Sequence, residues 1–131
     1  MELHHVGIAT LDLEAAARPY YALGYELEAK DTVESQGVSV YMLRSGHSRL
    51  ELLAPTRPDS PIGKFLDKRG PGIHHLAFAT GDIRGELERL AGEGTPLIDA
   101  APRPGFGGHL VAFVHPKWSG GVLVELVEAG H

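Results

Sequence analysis

Leu3–Thr10 reads LHHVGIAT, and Ile73–Thr80 reads IHHLAFAT. The identical positions are His4/His74, His5/His75, Ala9/Ala79 and Thr10/Thr80, and the remaining ones match in size or apolarity. The correspondence runs on through Asp12/Asp82 and Leu13/Ile83, where an apolar, strand-like run gives way to an acidic residue and a helical pattern. A second echo sets SRLELLAP (Ser48–Pro55) against GVLVELVEA (Gly121–Ala129), each with a Glu inside an apolar run. A chain built from two copies of one unit tends to place equivalent residues around a shared centre. Here those residues are one His and one Glu from each half.

Working outward from Leu3, alternation puts His5, Gly7 and Ala9 on one face of a strand and His4, Val6 and Ile8 on the other. The bulky face suits packing against a helix, and the small face can line an open cleft. Asp12 is an N-cap for a helix from Leu13 to about Ala22, with Pro19 expected to kink or loosen it and Gly24 to end it. Strands are expected at Tyr25–Lys30, Val38–Arg44 and Arg49–Leu53, then a short helix from Ser60-Pro61 to about Lys68. The second copy predicts a strand at Ile73–Ala79, a helix over Ile83–Ala91 capped by Asp82, and a weak strand at Pro96–Ile98. A Pro/Gly-rich loop then covers Ala101–Gly108, and His109–Val114 with Val122–Val127 forms a closing hairpin. Each half therefore reads β-α-β-β-β. The chain is one α+β domain of tandem units, about 1–68 and 69–131.

The bulk properties narrow the function. At 131 residues and 43% hydrophobic composition there is chain for one domain with a real core. The absence of cysteine excludes disulfides, thiolate metal sites and cysteine nucleophiles. A net charge of −5 with scattered Lys and Arg argues against a nucleic-acid surface. No apolar run reaches membrane-span length, and MELHHVG has neither the basic nor the apolar region of an export signal. The expectation is a cytoplasmic protein that binds neither nucleic acid nor membrane.

His5, Glu51, His75 and Glu125 each fall near the middle of a predicted strand. Burying an imidazole or carboxylate there is costly unless it is paired or bound to a cation. A lone strand His is more often a satisfied core residue, and a lone strand Glu is usually solvated. Four of them in repeat-related positions point instead to a divalent metal. Two neutral imidazoles and two carboxylates leave such a site formally neutral. They suit Co²⁺, with Mn²⁺, Ni²⁺ or Zn²⁺ as alternatives. Either His of each pair could face the cleft. His5 and His75 are chosen because Gly7 and Ala9, or Ala77 and Ala79, then share their face.

The paired units and ligand spacing resemble the vicinal oxygen chelate superfamily, which includes glyoxalase I, extradiol dioxygenases and fosfomycin and bleomycin resistance proteins. Within it, RLELLAP, DSPIGKFLDKRGPGIHHLAF and PRPGFGGHLVAFVHPKWSGGVLVELVE look most like the methylmalonyl-CoA epimerase family. The resemblance implies one open, curved, mixed β-sheet half-barrel with a central metal cleft. It implies an acyl-CoA substrate, a homodimer, and epimerisation through a metal-stabilised enolate with two bases. Glu125 is one candidate base. The resemblance also makes Glu34 a base, and no other acidic residue lies between Asp31 and Glu51; the bland alternative is a solvated loop carboxylate. Ser119, Gly120 and Gly121 offer backbone N–H groups to substrate, and Lys117, Arg103 and Lys64 could meet CoA phosphates. A glyoxalase I-like lyase is the alternative reading and would use the same ligands.

Overall fold

The repeated T-x-D signature begins each helix in the same way. In the computed structural model, which describes residues 1–129, the Thr10 hydroxyl accepts from Asp12 N and the Asp12 carboxylate accepts from Ala15 N at 3.1 Å. Seventy positions on (80 − 10 = 70), Thr80 accepts from Asp82 N, and the Asp82 carboxylate accepts from Gly85 N at 3.0 Å. Each Asp satisfies one backbone donor that the helix cannot, an effect worth about 1 kcal/mol. The repeat is thus written in capping chemistry as well as in apolar pattern.

The chain divides into two units, one of His5–His74 and one of residues 1–4 with those from His75 onward. With each strand given to the unit that holds most of it, the first runs β1 (Glu2–Ala9), α1 (Leu13–Ala22), β2 (Glu26–Val33), β3 (Val38–Ser45), β4 (Ser48–Pro55) and α2 (Pro61–Arg69). Its strands are ordered β2-β3-β4-β1. β1 and β4 run parallel, and the other neighbours run antiparallel. The second continues with β5 (Gly72–Thr80), α3 (Ile83–Gly92), β6 (Arg103–Pro104), β7 (Leu110–Val114) and β8 (Val124–Glu128). Its order is β5-β8-β7-β6, again with one parallel pair, β5 with β8. The expected α+β class and the tandem β-α-β-β-β units are therefore present.

In each unit a helix covers one face of the strands. Ala17 of α1 packs with Leu43 and Leu52, all fully buried, and Ile8, Tyr20 and Tyr41 close around them. On α3, Ile83, Leu87 and Leu90 recur at i, i+4 and i+7 and pack onto Ala112, Val114, Val124 and Leu126. Full burial of a side chain such as Leu52 or Ile83 contributes about 1.5–3 kcal/mol. Pro19 lies inside α1 without ending it, and the helix runs to Ala22 as the pattern predicts.

The Pro/Gly-rich part of the second unit departs from expectation. Pro96–Ile98 is not a strand and makes a single bridge, Leu97 with Val114. The amides of Ile98 and Asp99 both converge on the Phe113 carbonyl, and the Asp99 carboxylate takes the Phe113 N–H at 2.9 Å. A side chain thus replaces the ladder partner that a strand would have supplied. The expected loop at Ala101–Gly108 instead contains β6, which pairs Arg103 with Val111 and Pro104 with Leu110. Gly105 N donates to His109 O, closing a hairpin across a 3-10 turn at Phe106–Gly108. Such a two-residue strand ending in Pro carries no period-2 signal.

Leu52→Ala is expected to lower unfolding free energy by about 2–5 kcal/mol, the range for emptying a buried leucine site. Leu23→Ala, at a position 72% exposed, should change it by less than about 0.5 kcal/mol. Urea titrations of both variants read this difference, and equal losses would contradict the packing described.

Candidate metal centre

Alternation along β1 buries His5, Gly7 and Ala9 and leaves His4, Val6 and Ile8 partly exposed, the partition read from the sequence. β4 lies parallel to β1 with Gly7 opposite Glu51. His5 is two residues before Gly7 on the same face, so a glycine stands where the His5 and Glu51 side chains lean toward one another. His5 Nε2 lies 3.4 Å from Glu51 Oε1. The second unit repeats this arrangement. β5 runs parallel to β8 with Ala77 opposite Glu125, and His75 Nε2 lies 2.9 Å from Glu125 Oε1. The rule in both units is a His at position i and a Glu opposite i+2, with a small residue at i+2.

All four side chains are buried, and each offers a ligand atom of the kind a metal ion takes. Their separations fit metal ligation. Two donors that each sit about 2.1 Å from one cation are about 3.0 Å apart at an octahedral cis angle and about 3.4 Å apart at a tetrahedral one. The observed 2.9 and 3.4 Å fall within the span that two ligands of one cation allow, and 2.9 Å is equally the length of an imidazole–carboxylate hydrogen bond. Imidazole with carboxylate is also a donor set suited to first-row divalent ions. A buried pair of this sort costs several kcal/mol in desolvation, which an ion offsets directly.

The surroundings differ between units. Beside Glu51 on β3 is Met42, nearly fully buried. Beside Glu125 on β7 is Phe113, whose ring meets His75 edge-on at 5.9 Å between centroids. Arg103 lies over Phe113 at 5.6 Å, its Nε 3.5 Å from Asp99 Oδ1. Met42 and Phe113 went unremarked in the sequence, although strand register places each opposite a candidate ligand.

Of the other predicted residues, Glu34 opens a 3-10 turn, Glu34–Gln36, between β2 and β3, and it is exposed. Lys64 and Lys117 are exposed on α2 and on the 3-10 turn Pro116–Ser119. The expectation that Gly120 and Gly121 offer N–H groups to a ligand is not met. Both donate to the Pro116 carbonyl, and the turn closes on itself. The Ser119 hydroxyl is likewise directed at the carbonyls of Val122 and Pro116. His115 caps this turn by accepting from Lys117 N. His74 packs edge-on against Phe65 of α2 at 4.9 Å.

The chain is similar to known proteins over most of its length. Residues 4–113 match the model of the Glyoxalase/Bleomycin resistance protein/Dioxygenase superfamily. An uncharacterized protein of Bacillus subtilis is 41% identical, covering 96% of this chain and 91% of the relative. The ethylmalonyl-CoA/methylmalonyl-CoA epimerase of Cereibacter sphaeroides is 40% identical, covering 95% of each. A variant of Streptomyces coelicolor methylmalonyl-CoA epimerase, solved in complex with 2-nitronate-propionyl-CoA, superposes with a TM-score of 0.94 at 39% identity, covering 99% of this chain and 95% of that one. With a superfamily match over most of its length and close to full-length similarity to named epimerases, the chain belongs to the methylmalonyl-CoA epimerase family of the glyoxalase/bleomycin resistance protein/dioxygenase superfamily.

Proposed function

We propose that the chain is an isomerase that interconverts the two C2 stereoisomers of methylmalonyl-CoA, with His5, Glu51, His75 and Glu125 holding one divalent cation. The observation that carries this reading is the buried His–Glu pair, built identically in both units. Relatedness over nearly the full length to named methylmalonyl-CoA epimerases supports the substrate. When bound, a divalent cation supplies Lewis-acid polarisation of a substrate carbonyl oxygen, worth several kcal/mol.

The chain's own residues move the proton. In a two-base inversion each face of the carbon has its own base, since a single fixed base returns the proton to the side it came from. Glu125 is assigned to one face, ligating through one oxygen and exchanging the proton at the other. Glu34 is assigned to the opposite face. Its exposed position at the head of a tight turn leaves its carboxylate available to an incoming substrate. Each base contributes about 10²- to 10⁴-fold. Lys117 and Ser119 are assigned to substrate binding, Lys117 as an exposed cation suited to phosphate; Gly120 and Gly121 shape their turn. No helix among the described residues is long and apolar enough to cross a membrane. Assembly as a homodimer belongs to this reading, and light scattering of the purified protein checks it.

The purified protein should bind one divalent metal per chain, and His5→Ala or His75→Ala should each lose most of it by elemental analysis. Full occupancy in His5→Ala would move the ligand to His4. Because an ion that binds only the folded state stabilises it by about 2.7 kcal/mol at a concentration of 100 Kd, chelation should lower the melting temperature of the native protein but not of His5→Ala.

Metal-loaded protein incubated with methylmalonyl-CoA in D₂O should place one deuterium at C2, read by mass spectrometry. Glu34→Gln keeps size, polarity and all four ligands. It should leave metal content unchanged while epimerisation falls by at least about 10²-fold. The variant should still exchange the C2 proton of one isomer with solvent faster than it converts that isomer. Equal loss of exchange for both isomers would indicate a one-base mechanism, and wild-type activity would return Glu34 to a solvated carboxylate.

A further inference from the structure

The segment Asp59–Leu66, DSPIGKFL, holds none of the candidate ligands or bases, although it carries much of the family likeness. Its place in the first unit gives it a use. Arg57, just before it, reaches back so that its Nη1 donates to the Glu34 carbonyl at 3.2 Å, while its Nε lies 3.2 Å from Asp59 Oδ1. The same Glu34 carbonyl accepts from Gly37 N at 3.1 Å, which closes the 3-10 turn. We propose that Arg57 is a positioning residue for Glu34: its guanidinium clamps the turn that presents the base, and the start of α2 fixes the guanidinium. This rests on the assignment of Glu34 as a base.

The clamp is interlocked at each end. Gly37 has φ +63°, and a Cβ there would lie 2.7 Å from the Arg57 guanidinium and 2.9 Å from Ser60 Cβ. A side chain would therefore be both strained and in the guanidinium's way. Thr56 N donates to Gly37 O at 2.8 Å, tying the two segments backbone to backbone. The fully buried Ser60 hydroxyl donates to Arg57 O at 2.9 Å and accepts from Gly63 N at 3.0 Å, so the N-cap of α2 also holds the Arg57 backbone. Gly63 has no space for a Cβ, which would run into the Pro58 carbonyl oxygen. Arg57, Ser60 and Gly63 thus form one rigid corner facing the Glu34 turn. An exposed Arg–Asp pair contributes little to stability. Its contribution lies in orientation, where a displacement of about 1 Å can cost about 10²-fold in rate.

The test uses full-length, metal-loaded protein. Arg57→Ala should lower kcat for epimerisation by about 10- to 100-fold, with KM changed less than about threefold and with metal content and melting temperature close to wild type. Proton exchange at C2 should survive for the isomer served by Glu125 and fall for the isomer served by Glu34, an asymmetry that a general loss of folding does not produce. Arg57→Lys, which retains one donor toward the Glu34 carbonyl, should recover part of the rate. Arg57→Ala added to Glu34→Gln should cause no further loss, because residues acting through one group are not additive. A wild-type kcat in Arg57→Ala, an equal loss of exchange for both isomers, or an independent additional loss in the double variant would each overturn the clamp. The base assignment fails separately, through wild-type activity in Glu34→Gln alone.

Discussion

A charged or imidazole side chain buried on a strand must be compensated, and this constraint organises both units. Each buries a His and a Glu within a few ångströms of one another. The parallel strand pair is what permits it: β1 beside β4, and β5 beside β8, set the carboxylate directly across from Gly7 or Ala77. Gly7 and Ala77 thus share the buried strand face with His5 and His75.

The helices fix that geometry from the opposite face. α1 and α3 pack on the side chains that alternate with the ligands, so register on one face is register on the other. Slipping β1 by one residue would bury His4 and turn His5 toward the helix. The Thr-x-Asp caps start both helices at the same distance from the ligand histidines, and this is why the capping residues recur with the His rather than drifting independently.

Much of this was legible because periodicity and duplication are local signals. The identity of β1 and β5, the bounds of α1 within a residue, and the burial of His5 and His75 rather than His4 and His74 all follow from alternation and caps. What was not legible depends on residues distant in sequence. The Asp99 carboxylate that replaces a ladder bond at Phe113 is set by tertiary contact, and so is the pairing of β6 across Gly105 and His109. The Arg57 contact to the Glu34 carbonyl spans 23 residues and has no pattern of its own. The turn at Gly120-Gly121 misled for a different reason: glycine marks where a backbone bends, not where its N–H groups point, and here they point into the turn.

The duplication is also incomplete in an informative way. In the first unit the connection between its two outer antiparallel strands is the 3-10 turn Glu34–Gln36, followed by Gly37 at φ +63°. The corresponding connection in the second unit is the 3-10 turn Phe106–Gly108, with Gly107 at φ +63°. Both are 3-10 turns with a glycine at positive φ, after the turn in one and inside it in the other, and one copy carries a carboxylate where the other carries Phe-Gly-Gly. α2, whose first turn holds Arg57 and Ser60 against the Glu34 turn, has no counterpart after β8 among the described residues. Duplication thus preserved the ligand pairs, for which equivalent halves suffice, and broke the equivalence where an acid–base residue is assigned. Two-base inversion of one carbon needs a base on each of its faces, and the bases need not be equivalent. On the proposed assignment one base, Glu125, belongs to the repeated set, and the other, Glu34, belongs to the unrepeated turn.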